Sequence, residues 1–355
     1  MRVVLIGAGH AHLKALAFWR GRQLPFSFQL VDPGRFVYSG MATGVLAGDY
    51  RFNEASCDPR SAAEAAGGHL LRDRLVSIDR QAGEVRLESG RRLGFDLLSL
   101  NIGSWVGGGQ SSRVYPVKPI GDFLGLVKDL DNPDTREEIV VAGGGVTGSE
   151  VAACLGWRLK ASGIDGRVRL IHPHSEPAPS LPGAARGFLQ RALEDRGIEI
   201  MQDRVESWHG RSARLASGRE LPFTRLVLAT GLVPSPVFSN LDLEVTDSGL
   251  AVADTLQCAD DARIFAAGDC ADIGRRGLPN VGVYGVRAAT VLADNLEAAA
   301  LGRALRRYSP QKVFLSILNL GRGEGLAVWA RLSFGGRLAL RWKDWLDRRF
   351  MQEIG

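Results

Sequence analysis

Residues 2–12 read Arg-Val-Val-Leu-Ile-Gly-Ala-Gly-His-Ala-His, and this stretch decides the fold that we predict for the amino-terminal part of the chain. Residues 2–6 are mostly β-branched or apolar, which is typical of a strand buried in a parallel sheet. Gly7 and Gly9 permit a sharp turn, and residues 10–19 then have the apolar spacing of a helix. Strand, glycine turn and helix in this order indicate the opening of a dinucleotide-binding fold.

The glycine turn has the chemistry that a bound pyrophosphate needs. Free backbone N–H groups at the start of a helix attract an anion, and Gly9 lets the backbone approach it without a Cβ atom. A second predicted strand, 28–31, ends at Asp32, whose carboxylate is placed to accept hydrogen bonds from a ribose. The third motif position, commonly Gly or Ala, is His12, so we expect the helix to stand slightly away from the strand or the imidazole to project past it. His10 and His12 alone are too few ligands for a metal, and we expect none.

The same order of elements returns in the middle of the chain. Residues 138–142 form an apolar run, the motif Gly-x-Gly-x-x-Gly occupies 143–148, a helix is predicted over 147–159 and a strand over 168–171. Two such openings predict two dinucleotide-binding folds in one chain. Further apolar strands that run into glycine-bearing turns are predicted at 96–101, 225–229 and 263–267.

The strand after the second glycine motif leaves the choice of nucleotide open. Where an acid would bind the ribose of NADH, this chain has His172. Arg167, Arg169 or a protonated histidine at this edge would instead favour the 2′-phosphate of NADPH. Alternatively, His172 is an ordinary surface residue, or the second fold binds no nucleotide.

Composition excludes several classes of function. The chain has 355 residues and a formal net charge of +5, and its basic and acidic residues are mixed along the sequence. Without a long basic block, we expect no nucleic-acid partner. No uninterrupted apolar run reaches the roughly 18 residues that would predict a membrane span. The first strand begins directly after Met1, so we expect no targeting segment before it and a cytoplasmic location.

Cysteine spacing argues against a disulfide framework. Cys57, Cys154, Cys258 and Cys270 form no CxxC or CxxxxC pair, which fits a reducing compartment. We expect Cys154 to be a buried thiol of a helix. Cys57 and Cys270 could still meet in the fold, which leaves oxidation of sulfide or polysulfide open as an alternative function.

Three stretches resemble a family of flavoproteins: Val-Leu-Ile-Gly-Ala-Gly-His-Ala-His (4–12), Tyr-Ser-Gly-Met (38–41) and Leu-Leu-Ser-Leu-Asn-Ile-Gly-Ser (97–104). They are similar to the FAD-dependent pyridine nucleotide-disulfide oxidoreductase superfamily, on the branch of the type II NADH dehydrogenases. Residues 9–12 and the closing run 342–351 resemble a subgroup that is sometimes fused to selenophosphate synthetase. The resemblance covers nearly the whole chain.

The resemblance implies an α/β fold with two Rossmann-like domains, as in glutathione reductase, and a small C-terminal α+β region. We expect a discontinuous FAD-binding domain over 1–118 and 232–305 and an NAD(P)H-binding domain over 119–231. The C-terminal region would then span 306–355.

The resemblance also implies which residues hold the two cofactors, FAD and NADH or NADPH. Asp269 fits the position that hydrogen-bonds the ribityl chain of FAD, and an N-cap is its alternative role. The implied FAD contacts are Gly7, Gly9, His10, Ala11, Asp32, Pro33, Met41, Val76, Asn101, Gly103, Gly268, Asp269, Gly282 and Val283. The implied NAD(P)H contacts are Gly143, Gly145, Val146, Thr147, Gly148, Glu150, His172 and Gly231.

The electron acceptor is less well defined. The resemblance places paired glutamines on the helix that faces flavin and quinone, and this chain has Arg287 and Ala288 there. Arg287 and Tyr284 are candidates for lying near the flavin, with a surface ion pair as the alternative for Arg287. We therefore expect an FAD-dependent NAD(P)H dehydrogenase that passes electrons to a quinone or another small molecule. A flavin-binding accessory or sensor protein with little turnover is the alternative from another class, and a homodimer stays open.

The end of the chain carries a membrane signal. Strand-like runs at 313–320 and 326–334 precede a helix predicted over 338–352. Its apolar residues recur at every fourth position, at Leu338, Trp342, Leu346 and Phe350. A basic helix with tryptophan can lie on a bilayer, which would make the protein peripheral at the inner face of the membrane. Packing of the stripe on its own domain is the interpretation that we favour.

Overall fold

The structure, a computed structural model, describes residues 1–108 and 111–355, and its amino-terminal part is built on a parallel sheet. In spatial order its strands are Ile264–Ala266, Leu97–Leu100, Arg2–Ile6, Ser27–Val31 and His69–Leu71. The helices on it are His10–Trp19, Pro59–Ala65 and Gly282–Ala300. Strand Arg2–Ile6 is buried from Val3 onward, as its apolar run predicts. The sequence predicts a helix from about Ala288 to about Leu301, and the structure begins it six residues earlier, at Gly282, since Gly282, Val283 and Gly285 lack a periodic apolar signal.

A second parallel sheet repeats this plan. Its strands are Val114–Pro116, Arg225–Leu228, Glu137–Ala142, Gly166–His172 and Ile198–Gln202. Its helices are Ile120–Phe123, Gly125–Leu130, Val146–Ser162 and Gly183–Asp195. The strand and helix around each glycine motif therefore form where the sequence predicts them.

In each half of the chain an antiparallel meander is inserted between two strands of the parallel sheet, which strengthens the internal repeat. The first consists of Leu75–Asp79, Glu84–Leu87 and Arg92–Gly94, and the second of Val205–His209, Ser212–Leu215 and Glu220–Pro222. Strands Ser104–Val106 and Leu232–Pro234 pair antiparallel where the chain passes between the two parallel sheets. The remaining short elements are Phe36–Val37 with Ser56–Cys57, helix Ser39–Ala47, the 3-10 turns Pro236–Asn240 and Gly268–Cys270, and strands Val245–Thr246, Gly249–Val252 and Ala271–Ile273.

The C-terminal region is an antiparallel sheet, Leu315–Asn319, Gly325–Trp329 and Leu332–Gly336, followed by helix Arg337–Ile354. The run predicted over 326–334 is thus two strands, because Ala330 adopts a left-handed φ of 53° and turns the chain back. This region connects the two cores. Phe350 and Ile354 pack into the core around the first parallel sheet, and Leu318 and Leu326 pack into the core around the second.

The imidazole of His12 lies beneath the first glycine turn and reaches both Gly7 and Ser99 on the neighbouring strand. Its Nδ1 lies 2.6 Å from the carbonyl oxygen of Gly7, and because that oxygen only accepts, Nδ1 carries the proton and donates it. Nε2 then accepts from the hydroxyl of Ser99 at 2.8 Å. Burial lowers the pKa of His12 to about 4, so the ring is neutral at physiological pH.

We predict that this buried histidine makes stability depend on pH. Its pKa is 6.5 when unperturbed and about 4 when folded, so acid favours the unfolded chain as the pH falls through this window. Between about pH 7 and about pH 5, the free energy of unfolding of the wild type should fall by about 2 kcal/mol more than that of His12→Gln. Urea unfolding at each pH measures both values. His69→Gln, at an exposed histidine, is the control and should behave as the wild type. An equal loss in His12→Gln and in the wild type would contradict the assignment.

Candidate functional site

A cleft of about 700 Å³ opens at the carboxyl ends of the first parallel sheet. This is where open α/β sheets bind nucleotides. Of the predicted FAD contacts, it is lined by Gly7, Gly9, His10, Asp32, Pro33, Asn101, Gly103, Gly268, Asp269 and Gly282. The fold therefore brings together residues that lie up to 275 positions apart in the chain, from Gly7 to Gly282.

Asn101 connects three segments at the floor of this cleft. Its Oδ1 accepts from the backbone N–H groups of Ala11 at 3.0 Å and His12 at 3.2 Å, at the start of the first helix. Its Nδ2 donates to the carbonyl oxygen of Ala267 at 2.5 Å, at the end of the neighbouring strand. One side chain thus caps the helix and holds the strand beside it.

The same asparagine explains why the cleft is rich in glycine. A Cβ atom on Gly7 would lie 2.5 Å from the backbone oxygen of Asn101, and one on Gly268 would lie 2.6 Å from its Nδ2. A Cβ atom on Gly9 would collide with its Oδ1. Gly7 and Gly268 also adopt left-handed φ angles of 87° and 76°. Backbone and asparagine are packed too closely at these turns for any side chain.

Asp32 lies at the end of its strand with its carboxylate oriented by the backbone. Its Oδ2 accepts from the N–H of Ala8 at 2.7 Å and its Oδ1 from the N–H of Gly34 at 2.8 Å. Burial raises the pKa of Asp32, and those two N–H groups oppose the shift. The Asp32 carboxylate is therefore already oriented to accept a hydrogen bond from a ribose hydroxyl.

Across the cleft, Lys118 forms an ion pair with Asp269. The hydroxyl of Ser104 lies 3.5 Å from the same carboxylate oxygen. Sequence analysis did not find Lys118. Its only local signal is that lysine is rare in this chain, and its partner lies 151 residues away.

Four predicted FAD contacts do not line the cleft. Ala11 is fully buried beneath Asn101, and Met41 lies in the core around the second sheet. Val76 faces solvent on its meander strand, where the preceding Leu75 lines the cleft in its place. Val283 follows Gly282 on a helix, so its side chain points away from the face that Gly282 presents.

The two residues proposed to act beside the flavin also lie outside the lining. The Arg287 side chain is exposed on its helix. Tyr284 is buried, and its hydroxyl donates to the carbonyl oxygen of Gln311 at 3.3 Å. Both lie on helix Gly282–Ala300, of which only Gly282 and Gly285 line the cleft. The geometry gives neither side chain a part in this site.

The second glycine turn is packed like the first. A Cβ atom on Gly148 would overlap the carbonyl oxygen of Gly143, and Gly143 itself has a φ of 108°. Gly145 and Thr147, in contrast, are exposed at the start of helix Val146–Ser162. Val146 is the first residue of that helix. Gly231 comes after strand Arg225–Leu228 and has a φ of 120°. The turn is therefore open to a ligand at the helix amino end.

The structure buries His172, which was a candidate for a surface residue. Its ring packs against Gly144, and neither ring nitrogen has a hydrogen-bond partner among the described residues. Burial lowers the pKa of His172, so it brings no positive charge toward a 2′-phosphate. Arg167 and Arg169 are both engaged by the carboxylate of Glu138, at 2.8 and 2.9 Å. The expected sources of charge for NADPH are thus neutral or paired.

Glu150 points away from the nucleotide turn. Its buried Oε1 accepts from the hydroxyl of Thr43 and from the backbone N–H of Asn319, each at 2.8 Å. Burial raises the pKa of Glu150, and Lys343 is the nearest opposing charge. Lys343 donates to Asp347 at 2.6 Å and to the carbonyl oxygen of Gly40. The motif position predicted Glu150 as a nucleotide contact, and the fold places its carboxylate in a buried polar network.

No cysteine is among the described residues that line the cleft. Cys57 pairs with Phe36 in a short strand, and burial raises its pKa. Cys270 is buried against the carbonyl oxygen of Leu100, and burial raises its pKa to about 11. Thiolate chemistry is disfavoured at both positions. Cys154 is buried in its helix, as predicted.

The apolar stripe of the last helix divides into two parts. Phe350 is buried, whereas Leu338 is 73% exposed and Trp342 40% exposed. The expectation that the whole stripe packs on its own domain is therefore wrong for its first half, because helix Arg337–Ile354 contacts the cores mainly at its end. Among the described residues, no helix is long and apolar enough to cross a membrane.

Comparison with known proteins identifies the family to which this fold belongs. Residues 1–291 match the family described as "Pyridine nucleotide-disulphide oxidoreductase". The chain belongs to this family. Proteins of the family use FAD and NAD(P)H, so the predicted cofactors and the α/β fold are confirmed.

Similarity to individual members is distant but extends over most of the chain. Ferroptosis suppressor protein 1 of Xenopus tropicalis is 26% identical over 346 residues, which cover 92% of this chain and 88% of that protein. The sulfide:quinone oxidoreductase of Aquifex aeolicus superposes with a TM-score of 0.81 at 16% identity, covering 99% of this chain and 91% of that one. NDH2 of Plasmodium falciparum, in complex with NADH, gives 0.79 at 13% identity, covering 99% and 97%. These two structures share the fold, and the flavoprotein oxidoreductase class follows from the family.

We predict that Gly9→Ala will abolish retention of FAD, because the added methyl group collides with Asn101 Oδ1 in the floor of the cleft. The matched control is Gly145→Ala, at the same position of the second motif, where an added Cβ meets nothing within 4 Å. The FAD content of each purified variant, from its visible absorbance relative to protein, measures the effect. Equal FAD content in the two variants would contradict the prediction.

Proposed function

We propose that the protein is an FAD-dependent dehydrogenase that takes hydride from NADH and passes electrons to a quinone or another small acceptor. The observation that carries the proposal is the cleft, in which the glycine turn, Asp32 and Asn101 form one wall and Lys118 with Asp269 the other. Its shape and donors fit a dinucleotide, and the neighbouring domain presents a second glycine turn. When bound, FAD accepts the hydride and passes its electrons on.

The chain's own residues bind and orient the cofactor. Asp32 would hold the ribose, and the N–H groups after Gly9 would face the pyrophosphate. Asp269 would accept from the ribityl chain, while its ion pair with Lys118 orients the carboxylate. We propose the domain limits 1–118 with 232–305, 119–231 and 306–355. Strand Val114–Pro116 of the second parallel sheet lies just before the proposed boundary at 119.

NADH is the donor that the second site favours. Arg167 and Arg169 are paired and His172 is neutral, so the charge that would select NADPH is absent from these three side chains. The exposed amino end of helix Val146–Ser162 suits the pyrophosphate of either nucleotide.

A quinone takes up protons as well as electrons, and the buried network beside the cleft can hold them. Ser39 lines the cleft, and the next residue, Gly40, accepts from Lys343. The charge of Lys343 acts in turn on Glu150, whose pKa is raised by burial. We propose that this carboxyl group keeps a proton available to the acceptor.

The other hypotheses have less support. Oxidation of sulfide would need a reactive thiol. Cys57 is half-buried and Cys270 is buried, and burial raises the pKa of both thiols. The link to proteins fused to selenophosphate synthetase depends on residues 9–12 and 342–351 alone and stays a prediction. An accessory protein with little turnover is an outcome of the following experiment.

We predict that Glu150→Gln will separate the two half-reactions. Anaerobic rapid mixing with NADH should bleach the flavin in the variant as fast as in the wild type. Reoxidation by a soluble quinone should slow by about tenfold to a hundredfold, because a buried proton donor is lost. Reoxidation by ferricyanide, which takes electrons without protons, should be unchanged.

The matched control is Glu194→Gln. This glutamate lies on helix Gly183–Asp195, away from the buried network, and accepts a hydrogen bond from Gln190 of the same helix. Equal slowing with quinone and ferricyanide would exclude a role in proton transfer. If neither NADH nor NADPH bleaches the wild type, the dehydrogenase proposal fails and the accessory role replaces it.

We also propose a peripheral membrane contact through the C-terminal region. Its exposed apolar side chains form the aromatic patch, defined as Trp329, Leu332, Phe334, Leu338, Trp342 and Trp345. Phe334 and Trp342 stack at 6.1 Å between ring centres, and Arg349 lies 5.5 Å from the ring of Trp345. Tryptophan and arginine on one exposed face suit the headgroup boundary of a bilayer with anionic lipid.

We predict that Leu338→Ser with Trp345→Ser will weaken flotation with vesicles. The control pair, Phe52→Ser with Leu301→Ser, removes comparably exposed apolar side chains outside the patch. Flotation of the wild type and the control with phosphatidylcholine–phosphatidylglycerol vesicles, and loss of flotation in the patch variant, is the expected result. No flotation of the wild type would refute the membrane contact.

A further inference from the structure

A pocket at the start of the C-terminal helix collects positive charge. Its volume is about 460 Å³, and it lies between the turn 321–323, the first turns of helix Arg337–Ile354 and residues 49–50. Arg322, Arg337 and Arg341 line it, together with Asp49, Tyr50 and Asp344. It shares no lining residue with the FAD cleft.

The side chains of the three arginines have no partner among the residues that the structure describes. Within residues 1–108 and 111–355, none of them makes an ion pair or a hydrogen bond, although most arginines of the chain do. The carboxylates of the pocket are engaged elsewhere. Asp49 accepts from Asn319 Nδ2 at 2.7 Å, and Asp344 accepts from Arg348 Nε at 2.8 Å. Arg348 offsets the charge of Asp344, whereas Asp49 bonds an uncharged amide and keeps its negative charge. Three arginines against this one carboxylate leave the pocket with a net positive charge.

The pocket is preorganised rather than a chance meeting of surface side chains. Buried Arg196 donates to the carbonyl oxygen of Gly321 at 3.2 Å and to Glu324 at 2.9 Å, which fixes both sides of the turn. Between them, Arg322 adopts a left-handed φ of 58°, an unfavourable conformation for an arginine. This turn brings Arg322, an exposed side chain, into the lining of the pocket. Arg337 and Arg341 are four residues apart and share one face of their helix.

We infer that this pocket binds a phosphate group. Guanidinium groups bind phosphate oxygens in a bidentate manner, and several converging on one pocket suit a dianion or a phosphodiester. The apolar side chains next to Arg337 and Arg341 in the helix are Leu338 and Trp342 of the aromatic patch. The phosphate is carried either by a lipid headgroup or by a small soluble molecule. The site does not depend on the flavin chemistry.

The test uses the full-length, FAD-loaded protein and two double variants of equal charge. The pocket variant is Arg322→Gln with Arg341→Gln, and the control is Arg303→Gln with Arg307→Gln, which removes two exposed arginines that lie outside both the pocket and the aromatic patch. An unchanged flavin spectrum verifies the fold of each. Isothermal titration with inorganic phosphate at constant ionic strength, and binding to vesicles with and without phosphatidylglycerol, are measured for all three proteins.

We expect the pocket variant to lose about tenfold or more in affinity for at least one ligand, with the control close to the wild type. Selective loss of binding to phosphatidylglycerol vesicles identifies a lipid headgroup as the source. Selective loss of inorganic phosphate, with equal vesicle binding in the two variants, identifies a soluble phosphate. If the pocket and control variants respond equally to both ligands, the attraction is general electrostatics and the inference is overturned.

Discussion

The hydrogen bonds of Asn101 are the constraint on which the first site depends. This side chain caps the first helix through Oδ1 and holds the neighbouring strand through Nδ2, so helix, turn and strand cannot move independently. The space it occupies then requires glycine at positions 7, 9 and 268. Each buried bond is worth about 1 kcal/mol, but an unpaired partner would cost more. The glycine-rich lining of the cleft is thus a packing consequence as well as a means of admitting phosphate.

Local signals in the sequence predict the parts of the fold that depend on neighbouring residues. The strand–turn–helix units at Gly7 and Gly143 form where expected, because apolar periodicity and glycine conformations act over a few residues. His12 is the instructive exception. Sequence reasoning treated its size as an obstacle, whereas the structure satisfies both ring nitrogens with groups from the same layer, including Ser99.

Contacts between distant segments could not be predicted in this way. Lys118 meets Asp269, and Glu150 meets Thr43 and Asn319, only after the domains have packed. The motif suggested a nucleotide role for Glu150, but a helix has several faces and the tertiary fold decides which one a carboxylate occupies. Exposure of Leu338 likewise depends on where the last helix leaves the core, which periodicity alone does not reveal.

The polar groups of the molecule separate into two kinds of environment. Near the cleft, burial keeps His12 neutral and raises the pKa of Glu150, which suits electron and proton transfer away from water. At the C-terminal end, arginines and tryptophans are exposed and available to partners outside the chain. An oxidoreductase that meets its acceptor at a surface would need both.

The most direct test of the central claim is an anaerobic titration of the FAD-loaded protein with NADH, followed by flavin absorbance. The account predicts complete bleaching of the bound flavin by an equimolar amount of nucleotide, and a flavin spectrum unchanged by excess NADH and NADPH would contradict it.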